Sequence, residues 1–132
     1  MKIHLSAPGR KNGKNLIQID RWDVWSFDDT FARIIVPCLE LLRSTSNGYP
    51  SVFMDHFDRY EQYHFEFMEL DDDNDIGAEL WDQALAKMIW SFQQTIEDDT
   101  APLPSSADYD VYNERLQEGL DLFAKYYRNL WD

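Results

Sequence analysis

The stretch Ile76-Gly77-Ala78-Glu79-Leu80-Trp81-Asp82-Gln83-Ala84-Leu85-Ala86-Lys87-Met88-Ile89-Trp90-Ser91-Phe92-Gln93-Gln94-Thr95-Ile96 decides the fold class. Leu80, Trp81, Ala84, Leu85, Met88, Ile89, Phe92 and Ile96 return every three or four residues and form one broad apolar stripe, which predicts a helix over 76–96. Upstream, Phe53, Phe57, Tyr60, Tyr63, His64 and Phe67 repeat the same spacing between acidic residues and predict an amphipathic helix over 52–70. Asp71-Asp72-Asp73-Asn74-Asp75 joins the two as a repulsive, polar loop, one or two of whose aspartates can cap the helix that follows. Downstream, Glu97 to Ser106 reads as a loop with Pro102 and Pro104. Asp110 then caps a last helix with Tyr112, Leu116, Leu120, Phe123, Tyr127 and Leu130 on one side, weakened locally by Gly119.

Towards the N-terminus, Ser26-Phe27-Asp28-Asp29 is a helix start, with Asp29 in the capping-box position after Ser26. That helix runs to about Ser44 and is expected to kink or break at Pro37, which removes one hydrogen bond and crowds the preceding turn. Ser46-Asn47-Gly48-Tyr49-Pro50 ends it. The apolar run Ile34-Ile35-Val36-Pro37-Cys38-Leu39 places Cys38 as a small buried hydrophobe. Before it, Lys2 to Leu5 and Leu16 to Ile19 flank a turn-rich stretch that includes Asn12-Gly13, the pattern of a β-hairpin. The fold class is therefore α+β, mostly helical, an N-terminal hairpin packed beside about four helices in a single domain of 132 residues. At 44% hydrophobic and 15% aromatic the chain is too rich for disorder, so it can bury a core.

Charge divides that domain in two. The formal net charge is -13; Lys2, Arg10, Lys11, Lys14 and Arg21 against Asp20 give residues 1–21 a charge of +4, which leaves -17 on residues 22–132. A basic hairpin arm thus precedes an acidic helical body. The body repels phosphate backbones, so direct nucleic-acid binding is not expected, and it favours a protein partner with a basic surface. No apolar stretch of about 18 residues occurs, so a membrane span is not expected either. One cysteine, Cys38, allows no internal disulfide and suits a cytoplasm.

Several segments resemble a group of uncharacterised small proteins of tailed bacteriophages, cyanophages among them. They are Ile19-Asp20-Arg21-Trp22-Asp23-Val24-Trp25-Ser26, Asp28-Asp29-Thr30 running into Ile34-Ile35-Val36-Pro37, Asn47-Gly48-Tyr49-Pro50, Leu80-Trp81-Asp82 with Met88-Ile89-Trp90-Ser91-Phe92, and the closing Leu122-Phe123-Ala124-Lys125-Tyr126-Tyr127-Arg128-Asn129-Leu130-Trp131-Asp132. The likeness spans roughly residues 17–132 in the same segment order. The chain departs from that pattern at Asp29, where the family carries histidine, and across Phe53 to Phe67. The resemblance implies a phage product acting in the bacterial host cytoplasm; it implies no reaction.

Catalytic and metal chemistry find little footing. His56 and His64 sit among Asp55, Asp58, Glu61 and Glu66, and imidazole with carboxylate suits divalent ions, but the two histidines are two turns apart and no HExxH or paired ExxH pattern accompanies them. The aspartates of 71–75 lack the glycine and twelfth-position glutamate of a calcium loop. No nucleophile with a partnered base is present, so no cofactor, no metal and no catalytic residue is expected; a metal-dependent enzyme is the third-ranked reading.

Two readings of another class lead. In the first, a phage-encoded acidic protein occupies a basic nucleic-acid channel of a host protein, with Asp55, Asp58, Glu61, Glu66, Glu69, Asp71, Asp72, Asp73 and Asp75 where phosphates would lie; the same carboxylates also serve as plain solvating faces. In the second, Trp22, Trp25, Tyr126 and Trp131 form an aromatic interface through which a virion or assembly component makes a homo-oligomer, although most such rings in a small domain belong to its core.

Overall fold

The structure, a computed structural model, describes residues 1–4, 16–45, 48–49, 73–96 and 108–131. In these residues two short strands, β1 (Lys2–His4) and β2 (Leu16–Gln18), precede a 3-10 turn at Arg21–Val24 and three long helices, α1 (Phe27–Thr45), α2 (Asp73–Thr95) and α3 (Tyr109–Tyr126); a second 3-10 turn, Tyr127–Asn129, closes the chain. The fold is mostly helical with a small antiparallel hairpin, as the periodicities require. Three helices rather than four are described, and the segment read as a helix over 52–70 lies outside the described residues.

The hairpin pairs Lys2 with Gln18, Ile3 with Ile17 and His4 with Leu16. Among the described elements it leads into the bundle through the 3-10 turn, which packs on α1. Ile3 and Ile17, a cross-strand pair, are exposed.

Among the described helices α2 is the central one, packed by α1 on one side and α3 on the other. Its breadth of apolar residues is explained by this position. Leu80, Trp81, Ala84, Leu85, Met88, Ile89 and Phe92 are all buried, because two neighbours cover two faces of one helix. Full burial of a side chain of this size contributes about 1.5–3 kcal/mol. Phe31 of α1, Phe92 of α2 and Phe123 of α3 meet edge to face, with centroids 5.8 Å (31 to 92), 4.9 Å (92 to 123) and 6.4 Å (31 to 123) apart, and so join all three helices at one point. Contacts of α1 residue 31 with residue 92, and of residue 43 with residue 82, show that α1 and α2 run antiparallel. The pairs Lys87–Glu118 and Trp81–Tyr126 show the same for α2 and α3.

Several boundaries differ from the sequence expectation for physical reasons. Helix α2 starts at Asp73, three residues early, so the backbone of residues 73–75 belongs to the first turn of the helix and not to a loop. Helix α1 runs unbroken through Pro37, whose exposed position lets water serve the carbonyl that the missing N–H leaves free. Cys38 is exposed, not buried. The buried positions of α1 are Ala32, Val36 and Leu39, and a residue two after Val36 points away from that face. Asp108, not Asp110, stands at the N-cap of α3, with Asp110 in the first turn.

Candidate functional site

Between β2 and α1 the chain has to turn from a strand into a helix within a few residues, and Asp20 and Asp23 organise that turn. Asp20 is the N-cap: its Oδ1 accepts from the Trp22 N–H at 2.7 Å, while the Asp20 N–H donates to Asp23 Oδ2 at 2.8 Å, a reciprocal capping box. The Asp23 N–H donates to the Asp20 carbonyl at 3.2 Å and the Trp25 N–H to that of Trp22 at 3.3 Å. The α-ammonium of Met1 lies 3.3 Å from Asp23 Oδ2. The hydrogen bond from the Asp20 backbone, aided by that ammonium, holds the Asp23 carboxyl below its ordinary value of 3.8.

A turn fixed in this way presents its side chains outward. Trp22 is 77% and Trp25 74% exposed, with ring centroids 6.0 Å apart and planes tilted by 46°. Val24 and Phe27 extend the apolar surface, and Phe27 leads to Phe31 through a ring contact at 6.0 Å. Asp20, Asp23, Asp28 and Asp29 rim it in sequence. Arg33 pairs with Asp29 at 2.8 Å. Two indoles on a capped turn, bordered by carboxylates, have the composition of an interface centre: large rings of low side-chain entropy inside, charge outside.

Of the other residues singled out from sequence, Trp131 is exposed at 74%. Tyr126 is not part of an outer surface: it is 5% exposed and stands edge to face against Trp81 at 5.7 Å. Tyr126 follows Leu122 by four residues and shares its buried face, whereas Tyr127, one step of about 100° further round, is the exposed ring. The spacing Leu116, Leu120, Phe123, Tyr127 predicts Tyr127 on the apolar side, whereas its ring is exposed. Asp55, Asp58, Glu61, Glu66, Glu69, Asp71, Asp72, His56 and His64 lie outside the described residues. The structure therefore pairs Trp22 with Trp25, exposes Trp131, takes Tyr126 into the core, and leaves most of the acidic part of the expected surface undescribed.

Among the described residues no group of three or more His, Cys, Asp or Glu side chains gathers to hold a metal ion. No described helix is long and apolar enough to cross a membrane. Set beside known protein families, curated proteins and solved structures, the chain matches none of them.

Proposed function

We propose that this chain is a non-enzymatic, phage-encoded accessory protein that docks on the basic surface of a host nucleic-acid-handling or defence protein and inhibits it. The observation that carries the reading is the exposed Trp22–Trp25 pair on its capped turn, bordered by aspartates. Charge and rings have separate tasks. The -17 of residues 22–132 attracts a basic partner over distances on the order of a Debye length, about 8 Å at physiological salt, and speeds encounter. The indoles then lose their water against the partner and slow dissociation. Asp55, Asp58, Glu61, Glu66, Glu69, Asp71, Asp72, Asp73 and Asp75 supply carboxylates that compete for cations otherwise used on phosphates, which makes the docking inhibitory.

The test is an affinity pulldown from bacterial lysate with three forms of the chain: wild type, Trp22→Ala/Trp25→Ala, and Asp71, Asp72, Asp73 and Asp75 all changed to Asn. The expected result is a nucleic-acid-handling protein bound by wild type, displaced by added DNA or RNA, and lost from both variants. Capture that is unaffected by the tryptophan substitutions would overturn the role given to this turn.

A second reading, self-association in a virion or assembly component, draws on Tyr127 and Trp131, which expose further rings at the other end of the sequence. Ring-driven assembly persists at high salt, whereas docking to a basic partner weakens, so light scattering across an ionic-strength series separates the two.

A further inference from the structure

One stripe of α2 carries Asp82, Ile89 and Trp90, and it floors a groove of about 590 Å³ walled by Glu40 and Arg43 of α1 and by Arg115 of α3. That volume is within the range of small-molecule sites, roughly 300–1,000 Å³. The groove is separate from the tryptophan turn: Phe27 and Arg43 are sixteen residues apart on α1, about 24 Å along a helix.

Its two arginines are held differently. Arg43 forks onto Asp82, Nε to Oδ1 at 2.8 Å and Nη2 to Oδ2 at 3.0 Å, and this hydrogen bonding raises its already high pKa, so it stays charged. The fork occupies one edge of the guanidinium; Nη1 keeps its two donors. Arg115 has no such partner. Its guanidinium carbon lies 3.9 Å from the Trp90 ring centroid, and among the described residues no carboxylate pairs with it, on a chain where acidic residues outnumber basic ones 25 to 12. A guanidinium stacked on an indole is oriented by the ring and leaves its in-plane N–H groups available. Tyr112 fixes the indole in turn, edge to face at 5.6 Å.

We propose that this groove binds a small aromatic carboxylate. The carboxylate is taken by the N–H edge of Arg115 and the free Nη1 of Arg43, and the ring lies on Ile89 and Trp90. A planar fork matches a carboxylate in two parallel hydrogen bonds. Phosphate chemistry fits less well: Glu40 and Asp82 stand in the same groove and the whole chain carries -13, so a dianion is repelled about twice as strongly as a monoanion at equal distance.

The test is a titration of the full chain followed by NMR at the indole N–H groups, with N-acetyltryptophan, N-acetyltryptophanamide and adenosine monophosphate as probes. N-acetyltryptophan is expected to move the Trp90 signal saturably with a Kd on the order of 1 mM, and the amide to bind about tenfold more weakly. Arg115→Gln, a substitution at an exposed position, should weaken the acid by a similar factor, and Arg115→Lys should recover part of the loss because charge returns without the fork. Equal binding of acid and amide, an unmoved Trp90, or an unchanged affinity in Arg115→Gln would overturn the proposal. So would tighter binding of adenosine monophosphate, which would mark the groove as a phosphate site. A response confined to Trp22 and Trp25 would also overturn it and assign the binding to the aromatic turn instead.

Discussion

Gly119 of α3 stands directly against Ser91 and Lys87 of α2. A Cβ built there would fall on the Ser91 side chain and on the backbone carbonyl of Lys87, and the second of these cannot swing aside. Ser91 is wholly buried and its hydroxyl donates to the Arg115 carbonyl at 3.4 Å, one turn before the glycine, so the two small residues meet across the helix pair. Helix propensity and packing then make opposite predictions for Gly119→Ala. Propensity favours alanine by about 1 kcal/mol. Packing opposes it by about 1–3 kcal/mol, the usual cost of forcing a methyl into a full interior, and packing should win because a backbone atom is in the way. We expect Gly119→Ala to lower the thermal midpoint by a few degrees, on the order of 3–8 °C for a domain of this size, in a circular-dichroism melt. A higher midpoint would mean that α2 and α3 separate without cost. From sequence, Gly119 reads only as a weak spot in a helix, because what it fits against lies on another helix.

At the scale of elements, the 3-10 turn at Arg21–Val24 depends on two carboxylates and so on pH. Asp23 has its pKa lowered in the folded chain, so its contribution is present above its unfolded value of 3.8 and is lost as pH falls through the lower folded value. In a carboxyl-carbon NMR titration, Asp23 is expected to titrate below 3.8, with the Asp20 amide proton shifting at the same midpoint because it donates to that carboxylate. A midpoint at or above 3.8 would show that the capping box does not form. This element also shows where sequence reading stops. Strands at 2–4 and 16–18 and the helix centred on Leu85 are legible because short apolar segments flanking a turn-rich stretch and three-to-four spacing are local properties. Trp22 and Trp25 are legible as aromatic residues, but the pairing of Asp20 with Asp23 departs from the Ser/Thr-to-Glu form of the capping box and passes unnoticed. Cys38 and Tyr126 are misplaced for one reason: an apolar run and a pair of adjacent tyrosines say that a face exists but not which member points into it. The groove of Arg43, Trp90 and Arg115 is not legible at all, since it needs three helices in register.

For the whole molecule the governing quantity is charge. Ion pairs on the described surface include Met1–Asp23, Arg33–Asp29, Arg43–Asp82 and Lys87–Glu118. Pairs with exposed partners contribute about 0–1 kcal/mol each, and salt weakens them. Against them stands the self-repulsion of a compact body with a net charge of -13, which salt also weakens. The two effects have opposite signs on stability, and their sizes decide the outcome. The pairs use few of the 25 acidic residues, and the excess of acid over base acts over the whole surface at low ionic strength. Repulsion should therefore dominate, and raising salt from about 0.01 M to 0.15 M, which shortens the Debye length from about 30 Å to about 8 Å, is expected to raise the thermal midpoint. The same melt in guanidinium-free sodium chloride and in sodium sulfate at matched ionic strength separates screening, common to both salts, from the added strengthening of apolar burial by sulfate. A midpoint that falls with sodium chloride would show that specific ion pairs outweigh the net charge, and the acidic excess would then be a property of local pairing and not of a body built to attract cations from outside.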